Sequence, residues 1–163
     1  MKPALADRIL GALLVVGAIV TAIYWWSYFS GGEVMTSTER WYTAFESAFP
    51  VADGWMALCM AISGVGLIRG RAWARPAGLL AGSALIYLAL MDITFNVENG
   101  LYALAAASEA MQAEVAINVS SGLLGIWAIF ACWPRSGEGC GPQRLCFRSN
   151  RAVGRVAPPP GRV

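Results

Sequence analysis

Four apolar runs lie along residues 1–134 of the chain. They cover residues 9–29, Pro50 or Asp53 to Ile68, 76–95 and 115–133. Each run is about twenty residues long, which at a helical rise of about 1.5 Å per residue is enough to cross the hydrocarbon core of a bilayer. The pattern therefore predicts four transmembrane helices, and we expect an all-α integral membrane four-helix bundle.

The first run has an alternative interpretation as a cleaved signal peptide, because Lys2 and Arg8 precede it. Against this, the run is long and ends in a cluster of aromatic residues between Trp25 and Phe29. These features favour an uncleaved spanning helix.

Prolines and glycines mark the ends of the other runs. Pro50 and Pro76 stand where a first helical turn would begin, a place where the missing N–H of proline is tolerated. The second run closes at Arg69-Gly70-Arg71, and the fourth closes at Pro134, which cannot continue a helix in the ordinary way. These residues delimit four predicted spans of about 18 to 21 residues each.

The first and third connections contain helical patterns of their own. Thr36 and Glu39 have the spacing of a capping box, and aromatic residues follow at helical intervals: Trp41, Tyr42, Phe45 and Phe49. We expect a short amphipathic helix lying in the outer interface of the membrane. In the third connection, Asn99-Gly100 predicts a turn, and the alanine-rich segment 101–114 favours a helix that continues into the fourth span.

Composition agrees with lipid as the solvent of this chain. Hydrophobic residues make up 57% and charged residues 13% of the sequence, with a mean hydropathy of +0.54, which is outside the range of ordinary soluble domains. From Arg135 onward the composition changes to Gly, Pro, Arg and Ser, which cannot form a core. We therefore expect a transmembrane domain at 1–134 and a disordered basic cytoplasmic tail at 135–163. The tail either rests against anionic lipid or only determines topology.

The charges alternate in sign from one connection to the next. Basic residues occupy the N-terminus, the turn between spans two and three, and the tail: Lys2, Arg8, Arg69, Arg71, Arg75, Arg135, Arg144, Arg148, Arg151, Arg155 and Arg162. Acidic residues occupy the other two connections and their borders, with Arg40 as their one basic residue: Glu33, Glu39, Glu46, Asp53, Asp92, Glu98, Glu109 and Glu114. Because short cytoplasmic loops are enriched in Lys and Arg, both termini are predicted to be cytoplasmic.

The residue inventory excludes several kinds of chemistry. Histidine is absent, so bis-histidine haem ligation, histidine-based zinc catalysis and Ser/His or Cys/His catalytic pairs are excluded. The cysteines form no CxxC and are expected to be free thiols: Cys59, Cys132, Cys140 and Cys146. We expect no cofactor, no bound metal and no nucleic-acid partner. The first span also lacks the carboxylate on which small multidrug transporters depend.

Polar residues at a similar depth on three spans predict a ligand- or ion-binding site. Asp92 is the central candidate, because a charge inside a membrane is costly and is therefore usually functional. The full set of candidates is Asp92, Asn96, Glu46, Asp53, Asn118 and Ser121. Asn96 lies one helical turn after Asp92 on the same face. The alternative is that Asp92 reaches water at the interface while Asn118, Ser120 and Ser121 make hydrogen bonds between helices.

Small residues four positions apart predict close contacts between helices. Gly78 and Gly82 form such a pair in the third span, and Ser121 and Gly125 form another in the fourth. The pattern leaves open whether the partner helix belongs to this chain, to a second copy in a homo-oligomer, or to a partner membrane subunit. Membrane lipid is the remaining expected partner.

Parts of spans two and three carry a resemblance to a known family. The stretch Pro50-Val-Ala-Asp53-Gly-Trp55, followed by Gly64-Val-Gly66-Leu-Ile-Arg69-Gly-Arg71 and by Ala81-Gly82, resembles the small bacterial four-helix membrane proteins grouped as DoxX-like. Those proteins share a glycine-bearing second span and a short basic turn into a third. The resemblance implies a bacterial inner-membrane location, and it transfers no catalytic residue.

Three functional hypotheses remain. The first is a multi-pass membrane protein without evident catalytic machinery, which binds a lipid or small ligand or serves as an accessory subunit. The second is a small proton- or cation-coupled transporter that acts as an oligomer. The third is a lipid-modifying enzyme that uses Glu46, Asp53 or Asp92 as acid or base.

Overall fold

The computed structural model describes residues 3–31 and 39–134 of the chain, and most of these residues are helical. Within these residues there are five α-helices, one 3₁₀ helix and no strand. The helices are α1 (Leu5–Phe29), α2 (Arg40–Glu46), α3 (Pro50–Ile68), α4 (Ala74–Glu98), the 3₁₀ helix Leu101–Leu104 and α5 (Glu109–Cys132). The four candidate spans are long and apolar enough to cross a membrane, as the apolar runs predict.

Three of the long helices extend beyond the apolar runs that predict them. Helix α1 begins at Leu5, α4 continues to Glu98, and α5 begins at Glu109. A helix does not end where hydropathy falls, because its backbone hydrogen bonds continue as long as no residue breaks them. Apolar length therefore predicts the membrane-crossing part of each helix and underestimates its full extent.

The segment predicted as one helix at 101–114 is divided in two. Gly100, with a φ of 66°, turns the chain out of α4 and into the 3₁₀ helix, and turn residues follow. Ser108 then caps α5, since its hydroxyl accepts a hydrogen bond of 3.2 Å from the Met111 N–H. The predicted continuity with the fourth span holds only from Glu109 onward.

The predicted breaks fall at the helix ends. Pro50 is the first residue of α3, and Gly70 closes that helix in the left-handed conformation, with the Arg71 N–H bonded to the Gly66 carbonyl at 2.9 Å. The last helix, α5, ends at Cys132. Trp133 then adopts the extended backbone that the following Pro134 favours.

The long helices pack as two close pairs, α1 with α3 and α4 with α5, which are joined by contact between α3 and α4. Gly11 and Gly64 allow the first pair to approach, because a Cβ on Gly64 would stand 2.6 Å from the Gly11 carbonyl oxygen. Gly82 and Gly125 do the same for the second pair. The partner helices of Gly82 and Gly125 thus belong to this chain, so a second copy or a partner subunit would need another surface.

A cluster of buried apolar side chains forms the core of the bundle. Its buried side chains include Leu10, Leu14, Met56, Cys59, Met60, Leu67, Leu85 and Cys132. Many large apolar side chains remain exposed around the outside, among them Trp26 at 77% and Phe130 at 76%. Such a surface is costly in water and suits contact with lipid.

Helix α2 is the short helix predicted between the first two spans, and it lies against the bundle. The Phe45 ring stacks on Phe95 of α4 with centroids 3.6 Å apart, and Tyr42 is buried beside Leu101 and Met111. The described helix starts after Glu39, whereas Thr36 of the proposed capping box lies outside the described residues. Also outside them lie the tail, 135–163, with Cys140 and Cys146.

Candidate functional site

A cavity of about 360 Å³ lies at one end of the bundle, where α1 and α4 end and α3 and α5 begin. We call this the distal end. All five α-helices or their borders supply residues to the wall. The space exists because α1 and α5 have little contact with each other. Among the residues that the structure describes, the lining includes no basic side chain and four carboxylates: Glu46, Asp53, Asp92 and Glu114.

Asp53 is placed by the start of α3. It lies in the first helical turn after Pro50, where the positive end of the helix dipole favours a carboxylate. The Trp25 indole Nε1–H of α1 donates a hydrogen bond of 2.9 Å to its Oδ2 atom. With an exposed fraction of 9%, Asp53 is held in one position by this donor and by the helix.

Glu46 enters the cavity from the last residue of α2. The Tyr24 hydroxyl of α1 donates to Glu46 Oε2 at 3.2 Å, so this pair connects the short helix to the first long one. Both residues line the cavity. The position of α2, fixed by the stacking of Phe45 on Phe95, therefore determines where this carboxylate lies.

Glu114 of α5 accepts hydrogen bonds at both carboxylate oxygens. Asn96 Nδ2–H of α4 donates to its Oε1 atom at 2.6 Å, and the Tyr42 hydroxyl of α2 donates to its Oε2 atom at 3.2 Å. Asn96 and Tyr42 are almost completely buried. Glu114 thus joins three helices at the cavity wall.

Asp92 differs from the other three carboxylates. It lines the cavity from α4 and is partly buried, and no side chain or backbone group among the described residues donates a hydrogen bond to it. A carboxylate in a low-dielectric site needs a counter-charge or donors to remain ionised. Asp92 is accordingly the acidic group of this cavity that is most available to a ligand.

The rest of the wall is largely aromatic and apolar. Tyr24, Trp25, Tyr42 and Phe49 contribute rings, and Leu88 and Ile117 contribute aliphatic surface. Aromatic faces attract cations, most strongly when water is displaced. Among the described residues, no three Cys, Asp or Glu side chains are grouped as a metal site would require. The carboxylates are spread over several walls, an arrangement that fits a molecule better than a bare ion.

The predicted site residues on α5, Asn118 and Ser121, are buried, and neither lines the cavity. Asn118 is 2% exposed, and neither of its amide atoms has a hydrogen-bond partner among the described residues. Ser121 is buried and does not line the cavity, while Ser120 donates to the Ile117 carbonyl of its own helix. The predicted hydrogen bonds between helices are therefore not made by Asn118 or Ser120.

The structure thus brings Glu46, Asp53 and Asp92 to one cavity, with Asn96 immediately behind its wall. The sequence did not single out Glu114, or the donors that position the carboxylates: Tyr24, Trp25 and Tyr42. One signal was present, since Glu114 stands one helical turn before Asn118 and at the polar start of the fourth span. That spacing puts both residues on the same face of α5.

Comparisons of the chain with models of protein families, with curated proteins and with solved structures find no match. The resemblance of spans two and three to DoxX-like proteins therefore stays a prediction from the sequence.

Proposed function

We propose that the chain is a membrane protein that binds a small organic cation, such as a protonated amine, in the distal cavity. The observation that carries the proposal is a cavity with four carboxylates, aromatic walls and no basic lining residue. An ammonium group would lie near Asp92, the carboxylate to which no described residue donates a hydrogen bond, and against the rings of the wall.

Charge balance supports a cationic occupant over an anionic or neutral one. Like charges around one low-dielectric space repel each other, and either protons or a bound cation must reduce that repulsion. Donors from Tyr24, Trp25 and Asn96 stabilise three of the carboxylates, but each donor is neutral. A bound cation therefore offsets part of the repulsion among the four carboxylates, which neutral donors cannot do.

The proposed location follows from the charges of the connections. The turn between α3 and α4 carries Arg69 and Arg71, and Arg75 follows in the first turn of α4. This charge supports a cytoplasmic position for that turn and for both termini. The distal cavity then faces the outside of a bacterial inner membrane. Binding there suits a receptor-like or accessory membrane subunit.

Binding of butylamine to the purified protein tests the proposal, with titration calorimetry in detergent as the measurement. Asp92→Asn should weaken binding at least ten-fold, because it removes the charge that faces the ligand. Glu98→Gln is the matched control, since Glu98 is an exposed acid on the same helix and outside the cavity wall. No heat of binding with the wild-type protein, or equal affinities in both variants, would refute the proposal.

A second candidate, a proton- or cation-coupled transporter, is favoured by polar atoms deeper in the bundle. Ser63 Oγ on α3 and the Asn118 amide on α5 are buried without a partner among the described residues. Ser63 lies near the end of α3 that is opposite the cavity, beside Gly78. A path for protons or hydrated ions would contain water molecules that bond to such polar groups. Buried polar groups at two depths, without protein partners among the described residues, are consistent with such a path.

Flux measurements separate this candidate from simple binding. In proteoliposomes, transport predicts a pH-dependent amine or cation flux that Asp92→Asn abolishes while the purified variant keeps its fold. Glu98→Gln should transport as the wild type does. Flux equal to that of empty liposomes, together with retained butylamine binding, would leave binding as the function.

A further inference from the structure

A second cavity of about 560 Å³ lies beside the acidic one, between α3 and α4. Its walls are mainly apolar and include Phe45, Met56, Leu80 and Met91. We call it the α3/α4 groove. Two of its lining side chains, Trp55 and Tyr87, are 56% and 63% exposed, so the groove borders the outer surface of the bundle that suits lipid.

The groove and the acidic cavity share part of their walls. Phe49, Asp53 and Leu88 line both spaces. Of the described residues that line the groove, Asp53 alone is acidic, and it stands at the boundary with the cavity that holds the other three carboxylates. A single molecule that crosses this boundary would have its charged part in the acidic cavity and its apolar part in the α3/α4 groove.

We propose that the natural ligand is an amphiphilic amine, with its ammonium head in the acidic cavity and its alkyl tail in the α3/α4 groove. This inference rests on the proposed function and specifies the substrate class of the same site. The head is selected by the carboxylates and aromatic rings, and the tail by the apolar walls of the groove.

Charge complementarity decides between this occupant and an ordinary phospholipid. A phosphate placed at the shared wall would lie beside Asp53 and near three further carboxylates, with no basic lining residue to stabilise it. An amine without a phosphate meets no such repulsion. The head must therefore be cationic overall, which excludes zwitterionic and anionic phospholipids as the preferred ligands.

Access from the bilayer follows from the exposure of the groove. A tail that is already dissolved in lipid gains little hydrophobic free energy by entering an apolar groove, since both surroundings are apolar. The groove instead orients the molecule and brings the head to the cavity at a high local concentration. Discrimination among ligands then comes from the head, and the tail provides the route of entry.

A photoreactive probe tests where the tail lies. The probe is dodecylamine with a diazirine near the end of its chain, added to the full-length protein in phosphatidylcholine nanodiscs and mapped by mass spectrometry. We expect labelling to concentrate on the segments around Trp55 and 80–91. The neutral alcohol of the same length and label should give at least ten-fold less labelling there, and excess butylamine should compete with the amine probe.

Filling the groove gives a second, independent readout. Ser83→Phe places a ring in the groove wall and should reduce labelling at least ten-fold, while butylamine binding stays as in the wild type. Ser120→Phe is the matched control, because Ser120 is an exposed serine of a long helix that lines neither cavity. It should leave both measurements unchanged.

The outcomes separate the inference from the proposed function. If the Ser83→Phe variant is labelled as strongly as the wild type and still binds butylamine, the tail site is refuted and the amine site remains. Equal labelling by the amine and alcohol probes would also refute the proposal that the ligand is an amphiphilic amine. Absence of both butylamine binding and competition would refute the proposed function itself.

Discussion

The Trp25 indole and the Asp53 carboxylate form a hydrogen bond of 2.9 Å that connects α1 to the first turn of α3. Trp25→Phe keeps most of the ring packing but removes the donor from a buried carboxylate. Loss of a donor to a buried charged group costs about 1–3 kcal/mol. We expect the free energy of unfolding in detergent to fall by that amount, measured by denaturant titration.

A neighbouring tryptophan provides the control for this change. Trp26 is 77% exposed, so Trp26→Phe removes no buried donor and should alter the free energy of unfolding by about 0.5 kcal/mol or less. An equal loss in both variants would mean that ring size, and not the hydrogen bond to Asp53, accounts for the effect.

Two buried asparagines provide a second prediction at the residue scale. Asn118 has no hydrogen-bond partner among the described residues for either amide atom, whereas Asn96 donates to Glu114 at 2.6 Å. Replacing a buried unsatisfied group by an apolar side chain of similar size removes a penalty of about 1–3 kcal/mol. Asn118→Leu should therefore raise the free energy of unfolding, and Asn96→Leu should lower it.

Thermal unfolding of both variants in one detergent checks this pair, with the midpoint temperatures expected to shift in opposite directions. A lower midpoint for Asn118→Leu would show that its amide is satisfied, for instance by bound water or by an ion. A stabilised Asn118→Leu that has also lost transport would support the second candidate function, in which the unsatisfied amide is kept for activity.

The residues of the site were predictable from the sequence only in part. Asp92 and Asp53 could be found because a charge within or beside an apolar run is visible in one dimension. Tyr24 and Tyr42 could not, since each contributes through a partner that is distant along the chain. For Glu114 the one signal was its spacing of four residues to Asn118. Asn96 was predicted from its spacing to Asp92, but its contact with Glu114 depends on how α4 and α5 pack.

At the scale of elements, two glycines of α3 predict opposite effects of the same substitution. A Cβ at Gly64 would stand 2.6 Å from the Gly11 carbonyl oxygen, and backbone atoms cannot move aside without separating α1 from α3. A Cβ at Gly54 meets nothing within 4 Å. Gly64→Ala should therefore destabilise the bundle by about 1–3 kcal/mol, the range that overpacking typically costs.

Gly54→Ala is the matched control and should stabilise the protein by up to about 1 kcal/mol, because alanine is the better helix former. Denaturant titration of the two variants in one detergent measures both effects. If Gly64→Ala proved as stable as Gly54→Ala, the close contact between α1 and α3 would not exist in the folded protein.

The elements themselves were predicted better than their junctions. Apolar length and the prolines at positions 50 and 134 identify the long helices, because membrane thickness and the chemistry of proline act locally. The 3₁₀ helix Leu101–Leu104 was missed, since helix propensity in an alanine-rich segment does not reveal the turn that follows it. The position of α2 against Phe95 was missed for a related reason, because aromatic spacing does not tell whether rings face lipid or protein.

At the scale of the whole molecule, the cavity is a consequence of how the helices pair. Glycine contacts let α1 approach α3 and α4 approach α5 closely, so each pair packs tightly at these positions. Between the pairs only α3 and α4 make extensive contact, which leaves α1 and α5 apart. Polar side chains occupy the resulting space at the distal end, and Leu10, Leu14 and Met60 fill the opposite half.

Orientation in the membrane is the last prediction, and it determines which compartment the cavity serves. Three arginines, Arg69, Arg71 and Arg75, lie in the connection after α3 and at the start of α4. The acids Glu98 and Glu109 flank the connection at the distal end. Reporter proteins fused after Arg71 and after Gly100 should give opposite signals, cytoplasmic for the first and external for the second. Replacing the three arginines by glutamine should reduce or invert that difference. An external signal after Arg71 in the wild type would place the acidic cavity on the cytoplasmic side, and any cationic ligand would then have to come from within the cell.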